Sequence, residues 1–272
     1  MTATGLALGA IALWATLASL GVALAHVPPF LLTGLALLIG SVPAWPLARR
    51  WRVPASTLAL GVAGLFGFHF LLFLALRHAP PLEANLVNYL WPLLIVVLAP
   101  LFLPGVRLRP VHVLAASAGF AGAALAIAGG NRLGAPAWGF VPALGSAFVW
   151  ASYSLLTQRV AAFPTAAVGL FGLVSGLLSL ACHALFETGV ALSSRDWVLI
   201  AATGLGPLGA AFFLWDAALK RGDAVRIGIL SYLTPLASTL LLVAVTDRPL
   251  TAWIAAAAVL IVGAAIVGVR AR

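Results

Sequence analysis

Charged residues are scarce in this sequence. They make up 8% of its 272 residues, whereas 63% of the residues are hydrophobic. A typical soluble domain is roughly 25% charged, so this chain has too few charges to cover a soluble surface, and a soluble enzyme or a disordered chain is excluded. The net charge of +9 does not indicate a nucleic-acid partner, because the basic residues form no helical face or sustained run. We therefore interpret the chain as an all-α integral membrane protein.

Cysteine and the common catalytic motifs are also nearly absent. Cys182 is the single cysteine, so neither an intramolecular disulfide nor a cysteine-based metal site can form. The five histidines include no HxxxH pair, and we expect no metal and no cofactor. No GxxxxGK[ST] loop is present, so the chain does not encode ATP hydrolysis. Paired aspartates, an HExxH motif and a Ser/His/Asp cluster are missing too, which argues against an enzyme.

Long apolar runs dominate what is present. A helix of about 20 apolar residues crosses the hydrocarbon core of a bilayer, and this length divides the chain into ten predicted spans. The first five are residues 4–24, 29–47, 57–76, 82–103 and 111–128. The second five are residues 138–157, 165–186, 197–219, 225–245 and 252–269. The loops between them are short, and none is long enough for a separate soluble domain.

The basic residues predict the orientation of these spans, because loops rich in Lys and Arg stay on the cytoplasmic side. With a cytoplasmic N-terminus, 11 of the 15 basic residues lie inside and 4 lie outside. Those inside are Arg49, Arg50, Arg52, Arg107, Arg109, Arg159, Lys220, Arg221, Arg226, Arg270 and Arg272. Those outside are Arg77, Arg132, Arg195 and Arg248. Both termini are therefore expected in the cytoplasm.

The two halves of the chain repeat each other. Trp14 and its neighbours align with Trp150 and its neighbours at an offset of 136, and residues 89–92 and 232–235 share the pattern Tyr-Leu-x-Pro at an offset of 143. We expect a first repeat over residues 1–130 and a second over 131–272. Since each repeat has five spans, an odd number, the second must be inverted. Inverted repeats around a central site are typical of secondary transporters.

These residues resemble a known family. Paired five-helix units with Trp14 and Trp150 in their first helices look like the EamA type of the drug/metabolite transporter superfamily. Residues 88–92, Asn-Tyr-Leu-Trp-Pro, and 231–235, Ser-Tyr-Leu-Thr-Pro, are similar to the corresponding stretches of the YddG-type aromatic amino acid exporters in that family. The resemblance covers the whole chain. It implies a ten-helix exporter of aromatic and other amino acids in the bacterial inner membrane.

Polar and aromatic side chains near the middle of the spans are candidates for a substrate site, because a polar group that faces lipid has no partner. In the fourth, sixth and ninth spans these side chains recur at helical spacing, so that each span carries them along one stripe of its surface. The candidates are Trp14, His69, Phe73, Asn85, Asn88, Tyr89, Trp91, Trp150, Tyr153, Trp215, Ser231 and Tyr232. Close packing and hydrogen bonding between helices are the alternative roles for the small and amide side chains.

Glycine and proline interrupt the helices near the same depth. Five residues are expected to let helices bend when the cavity opens. They are Pro92, Gly204, Gly206, Pro207 and Pro235.

We expect a secondary transporter that exports aromatic and other apolar amino acids, such as methionine, by alternating access. No Lys or Arg lies near the middle of a span, and the first span has no acidic residue, so a net-neutral solute is favoured over a phosphate or a cation. A monomer surrounded by lipid is expected. The alternatives are an exporter of another small neutral solute, a channel and an intramembrane enzyme.

Overall fold

The computed structural model describes residues 1–128, 138–246 and 251–270. Within these ranges all regular secondary structure is helical, and no β-strand occurs. Four points of the sequence argument lie outside the described residues: the repeat boundary after residue 130, Arg132, Arg248 and Arg272.

The first half of the chain forms eight α-helices and one short 3₁₀ segment. The α-helices are α1 (Ala3–Ala15), α2 (Leu17–Ala23), α3 (Pro29–Ser41), α4 (Ala55–Val62), α5 (Phe68–His78), α6 (Pro81–Asn88), α7 (Trp91–Phe102) and α8 (Pro110–Ala128). The 3₁₀ segment, Val42–Arg50, continues α3 and carries Arg49 and Arg50 in its last turn.

The described part of the second half contains seven α-helices. They are α9 (Phe140–Leu156), α10 (Val168–Phe186), α11 (Ser194–Leu205), α12 (Ala211–Leu219), α13 (Ala224–Leu230), α14 (Leu233–Thr246) and α15 (Ala252–Arg270). A 3₁₀ turn, Thr165–Ala167, leads into α10.

Several helix starts have an identifiable cause in the sequence. Pro29 and Pro81 stand in the first turns of α3 and α6, where a missing N–H costs nothing. The Ser193 hydroxyl accepts the Asp196 backbone N–H, and the Asp196 carboxylate accepts the Ser193 backbone N–H, which forms a capping box at the start of α11.

Eight helical segments are long and apolar enough to cross a membrane. They are Ala3–Ala23, Pro29–Arg50, Ala55–His78, Glu83–Phe102, Pro110–Ala128, Thr165–Phe186, Ser194–Leu219 and Ala224–Leu241. Two shorter apolar helices, Phe140–Leu156 and Ala252–Gly268, correspond to the predicted spans 138–157 and 252–269. The helical, membrane-spanning character is thus confirmed, whereas a total of ten crossings stays a prediction.

Glycine permits the closest approach between helices. A Cβ added to Gly40 in α3 would lie 2.6 Å from the carbonyl oxygen of Gly204 in α11. Conversely, a Cβ on Gly204 would lie 2.6 Å from the carbonyl oxygen of Ala36. No side chain fits at such a distance, so α3 and α11 pack backbone to backbone just before the point where α11 ends.

Two segments are interrupted by a π-helical turn. In the turn Ala63–Gly67, the Phe68 N–H donates to the carbonyl of Ala63, five residues back. In the turn Gly206–Ala210, the Ala211 N–H donates to the carbonyl of Gly206 in the same way. The two turns are 143 residues apart, which is the offset of the Tyr-Leu-x-Pro pattern. Gly206 and Pro207 lie within the second turn, and Gly204 lies two residues before it.

Two further segments are broken between consecutive helices. The break between α6 and α7 falls at residues 89–90, and the break between α13 and α14 falls at residues 231–232. Pro92 lies in the first turn of α7, and Pro235 is the third residue of α14. Thus four of the helical segments depart from regular α-helical structure, and in three of them the departure lies beside residues that the sequence predicted to let helices bend.

Candidate functional site

A central cavity of about 790 Å³ occupies one half of the bundle. This volume lies in the range of about 300–1,000 Å³ that is usual for small-molecule sites. Its walls are Trp14, Leu17, Ala18, Leu20, Gly21, Leu32, Thr33, Phe68, His69, Leu72, Phe73, Asn85, Asn88, Tyr89, Trp91, Ala126, Ile127, Ala128, Trp150, Thr203, Leu208, Phe212, Thr234, Pro235, Ser238, Thr239, Val243, Thr251 and Ile254. It extends from the middle of the bundle to the helix ends at Gly21, Ala128 and Thr251.

The structure brings eight of the twelve predicted substrate residues to this cavity. They are Trp14, His69, Phe73, Asn85, Asn88, Tyr89, Trp91 and Trp150. Of the residues predicted to let helices bend, Pro235 lines the cavity as well. The other four substrate candidates, Tyr153, Trp215, Ser231 and Tyr232, are not part of its walls.

Aromatic rings form the floor of the cavity around Trp14. The Trp14 ring centroid lies 5.2 Å from that of Trp215, 5.8 Å from Trp150, 6.1 Å from Phe212 and 6.4 Å from Trp91. Most of these pairs meet edge to face or at a tilt, the arrangements that aromatic quadrupoles favour. The rings come from α1, α7, α9 and α12, so the floor ties both halves of the chain together.

Two of the cavity rings donate hydrogen bonds into the π-helical turns. The Trp14 indole Nε1 donates to the carbonyl oxygen of Pro207 at 3.1 Å. The His69 Nδ1 lies 2.6 Å from the carbonyl oxygen of Leu65. Because a carbonyl only accepts, Nδ1 is the protonated nitrogen, and in neutral His69 the other nitrogen, Nε2, is an acceptor.

Asn88 provides an amide in the cavity wall, and its orientation is set by α9. The Ser146 hydroxyl lies 2.8 Å from the Asn88 side-chain oxygen and 2.7 Å from the carbonyl oxygen of Ala143. One hydroxyl proton serves these two acceptors. Ser146 therefore lies behind the wall and does not line the cavity.

Hydroxyl groups in the walls were largely missed from the sequence. They are Thr33, Thr203, Thr234, Ser238, Thr239 and Thr251. One signal was available, because Thr234 holds the place of Trp91 in the shared Tyr-Leu-x-Pro pattern, and both residues line the cavity. For Thr33, Thr203 and Thr251 the sequence offered no comparable pattern.

The four candidates that do not line the cavity are packed among the helices, two of them directly behind its aromatic floor. The Tyr153 side chain packs against Gly64 and stacks near Trp150. The Trp215 indole donates to the Ser154 hydroxyl at 3.1 Å. Ser231 is fully buried and donates to the carbonyl of Ile227 at 2.8 Å.

Tyr232, the fourth of these, is also fully buried and packs its ring against Gly119. Pro235 has no N–H to offer the Ser231 carbonyl four residues before it, and that carbonyl accepts the Thr234 N–H at 3.0 Å.

Beyond these residues lies a polar group of contacts that we call the closed-end cluster, made of Phe163, Thr165, Asp216 and Lys220. One Asp216 carboxylate oxygen accepts from the Thr165 hydroxyl at 2.6 Å and from the Lys220 ammonium at 2.7 Å. The ammonium also donates to the Phe163 carbonyl at 2.9 Å and lies 3.6 Å from the centre of its ring. Burial lowers the pKa of Lys220, and the Asp216 charge opposes that shift. The cluster joins α12 to the segment that leads into α10.

At the opposite end of the bundle, Glu187 caps α3. Its carboxylate accepts the backbone N–H groups of Phe30 at 3.0 Å and Leu31 at 3.2 Å. Arg77 lies 3.6 Å and His183 lies 2.9 Å from the same carboxylate. These contacts connect α3, α5 and the end of α10, and none of the residues belongs to the cavity wall.

A continuous cavity inside a bundle of apolar, interrupted helices defines a membrane transport protein. The model of the EamA-like transporter family matches residues 1–128 and, a second time, residues 137–270. The chain therefore belongs to the EamA-like transporter family. It is a transporter rather than an enzyme, as the sequence predicted.

Particular relatives narrow this family further. A protein of Ancylobacter novellus named aromatic amino acid exporter YddG is 44% identical over 279 residues, which cover 98% of this chain and 96% of that protein. A protein of the same name from Escherichia coli (strain K12) is 28% identical over 270 residues, covering 92% of this chain and 90% of that protein. A solved crystal structure is similar at a TM-score of 0.92 and 43% identity, covering 98% of this chain and 96% of that one. The family resemblance drawn from the residues is thus confirmed.

Proposed function

We propose that the protein is a secondary transporter that exports amino acids, aromatic ones and other apolar ones such as methionine, across the bacterial inner membrane. One observation carries the proposal: the cavity combines an aromatic floor with amide, hydroxyl and imidazole groups, and its described walls contain no Asp, Glu, Lys or Arg. An amino-acid zwitterion with an apolar side chain has no net charge and needs both kinds of wall. The names of the two relatives agree with this substrate class.

The cavity residues divide between the two parts of such a substrate. The apolar side chain packs against Trp14, Phe73, Trp91 and Trp150, whose rings surround the deep part of the cavity. The charged end is bound by His69, Asn85, Asn88 and Tyr89, whose polar groups supply hydrogen bonds without a counter-charge. Tyr153, Trp215, Ser231 and Tyr232 contact substrate in the opposite state, when the other half of the bundle opens.

Alternating access needs one state open to the outside and one open to the cytoplasm. Both are provided by ten membrane-spanning helices in two inverted repeats, residues 1–130 and 131–272. The proposal is supported by the family model, which matches the chain twice. It is also supported by the π-helical turns and the Tyr-Leu-x-Pro patterns, which recur at the same offset of 143. Inverted repeats can exchange their conformations, so that one site is exposed first to one side and then to the other.

The orientation follows from the Lys and Arg bias, which puts both termini in the cytoplasm. The cavity extends to Gly21, Ala128 and Thr251. In the predicted topology each of these residues lies at the outer end of its span, on the side opposite to the two chain termini. The state described here therefore faces the outside of the cell, where an exporter releases its substrate. The closed-end cluster lies on the cytoplasmic side.

Export down a concentration gradient is the simplest energy source for this arrangement. The cavity walls that the structure describes contain a single titratable imidazole, His69, and no carboxylate. Facilitated export needs no coupling ion. Coupling to protons would require His69 to bind and release the proton in addition to binding substrate. The alternatives of another neutral solute, a channel or an intramembrane enzyme make different predictions for transport.

Uptake into proteoliposomes tests the proposal directly. The panel consists of Phe, Trp, Tyr, Met, Thr, a quaternary amine and a sugar phosphate, each with and without a pH gradient. Saturable uptake of the aromatic amino acids and Met is expected. Uptake of the quaternary amine alone would contradict the amino-acid assignment, and uptake that depends strictly on the pH gradient would replace facilitated export by proton coupling.

A further inference from the structure

Trp14 and His69 each touch two functional parts of the molecule at once. Both rings line the cavity. Both also place an N–H on a carbonyl inside a π-helical turn, Pro207 for Trp14 and Leu65 for His69. Among the side chains of the described cavity walls, these two donate hydrogen bonds to the π-helical turns Ala63–Gly67 and Gly206–Ala210, which are 143 residues apart.

A π-helical turn is a local alternative to the regular helix. Its N–H groups bond to carbonyls five residues back rather than four, and such turns are rare and common at functional sites. A side chain that bonds to a carbonyl within the turn stabilises the turn relative to a regular helix. The Trp14 bond is fully buried and joins residues 193 positions apart, whereas the His69 bond spans one helical turn.

We propose that Trp14 and His69 are positioning residues that couple occupancy of the cavity to the shape of the two π-helical turns. In the state described here both bonds are formed and the cavity faces one end of the bundle. Substrate that contacts these rings acts on the bonds, and loss of either bond favours the opposite state. This inference rests on the proposed alternating access, because it concerns how the two states are balanced.

Ser231 offers a reporter for the opposite state. It is fully buried here, but it is the repeat counterpart of Asn88, which lines the cavity. In an inverted repeat the cavity of the opposite state is therefore lined at Ser231. The variant S231C in a C182S background, treated with a thiol reagent, is alkylated at a rate proportional to the population of that state.

Two matched pairs of variants isolate the bonds. W14F removes the indole N–H and keeps an aromatic ring, and W45F does the same at Trp45, whose indole donates at the same distance of 3.1 Å to Ser41 in its own helix. H69N keeps a donor at the position of Nδ1, whereas H69Q does not. The members of each pair differ in the bond to a π-helical turn, and W45F controls for the loss of an indole N–H at a half-exposed site.

W14F and H69Q are expected to raise the alkylation rate of S231C about fivefold, the ratio that corresponds to one hydrogen bond. W45F is expected to leave it unchanged, and H69N to raise it less than H69Q. The buried Ser179 in α10, outside the cavity walls, serves as a second reporter through S179C. Equal rates in W14F and W45F, equal rates in H69N and H69Q, or an equal rise at S179C would overturn the proposal.

The test also separates this inference from the proposed function. If S231C is never alkylated in the parent chain, with or without added Phe, alternating access itself fails. If it is alkylated at the same rate in all four variants, alternating access stands and the role of the two bonds fails. Should W14F not fold, the two His69 variants decide the question alone.

Discussion

The two ends of the bundle are held together in different ways. At the cavity end, polar contacts lie at the edge: Glu187 caps α3 and pairs with Arg77, and neither residue faces the cavity. At the closed end, Asp216 and Lys220 tie α12 across to Thr165, beneath a floor of aromatic rings. Both carboxylates are buried, with the side chains of Asp216 and Glu187 1% and 3% exposed, and their cations Lys220 and Arg77 are 25% and 45% exposed. In the proposed alternating access, opening the closed end therefore breaks the contacts that Thr165 and Lys220 make to the buried Asp216 carboxylate.

The largest effect is expected from removing the cation that neutralises the buried Asp216 carboxylate. K220M leaves the Asp216 charge buried without its partner and should lower the free energy of unfolding by about 3 kcal/mol. R77M removes a half-exposed cation from Glu187, which keeps its contacts to His183 and to two backbone N–H groups, so it should cost less than about 1 kcal/mol. Thermal unfolding in detergent measures both variants.

The double variant D216N/K220M is the control for this prediction. It removes both charges and keeps an acceptor for Thr165, so it should recover most of the stability that K220M loses. An equal loss in K220M and R77M would show that the two ends do not differ in the proposed way.

A smaller effect is expected from removing the hydrogen bond between Thr165, in the turn before α10, and Asp216 in α12. T165V removes a hydroxyl that donates to the Asp216 carboxylate at 2.6 Å. A hydrogen bond to a charged group is worth about 1.5 kcal/mol, so the opposite state should gain roughly tenfold in population. Alkylation of S231C measures this gain.

Thr157 supplies the matched substitution at the same end. Its hydroxyl donates to the Ser154 carbonyl at 3.0 Å, three residues back. T157V therefore removes a local contact and should not change alkylation of S231C. If S231C is alkylated at the same rate in T165V and T157V, the closed-end cluster does not stabilise the state described here.

In the cavity, Asn88 should matter for substrate affinity more than the residue behind it. N88L removes an amide from the wall and should raise KM for Phe about tenfold, the loss of one hydrogen bond to a charged group. S146A keeps the amide and removes only the hydroxyl that orients it, so it should raise KM about twofold. Uptake kinetics in proteoliposomes measure both, and a larger effect of S146A would show that Asn88 acts in packing.

The smallest effect on transport is expected at Gly206, which the sequence predicted, together with Gly204, to let its helix bend. A Cβ at Gly206 would lie 3.8 Å from its nearest neighbour, Leu13, whereas a Cβ at Gly204 would lie 2.6 Å from the Ala36 carbonyl. G206A should therefore fold normally and slow transport roughly threefold by stiffening the turn. G204A should lower stability by about 2 kcal/mol through overpacking.

Initial transport rates and thermal unfolding, measured on the same preparations, check both glycine variants. Unchanged transport in G206A would mean that glycine there serves packing alone.

The sequence predicted the helices well, because hydrophobic length and short loops determine where a chain crosses a bilayer. Of the candidates that it placed near the middle of the spans, Trp14 and Asn88 line the cavity. It did not separate them from Trp215 and Ser231, which are buried and do not line the cavity. Depth along a span does not tell which half of the bundle is open.

The closed-end cluster illustrates a second limit. Asp216 and Lys220 are four residues apart, a spacing that favours an ion pair along one helix face, and their side chains lie 2.7 Å apart. The contacts to Thr165 and Phe163 join residues more than 50 positions apart. No local pattern in the sequence indicates such partners.

Counterflow of Phe tests the central claim most directly, namely that one cavity is exposed alternately to the two sides. Proteoliposomes are loaded with unlabelled Phe and placed in a trace of labelled Phe. Transient accumulation of the label inside, with saturation and with competition by Trp and Met, is the predicted result. Entry of label that is independent of internal Phe and linear in concentration would indicate a channel and contradict the account.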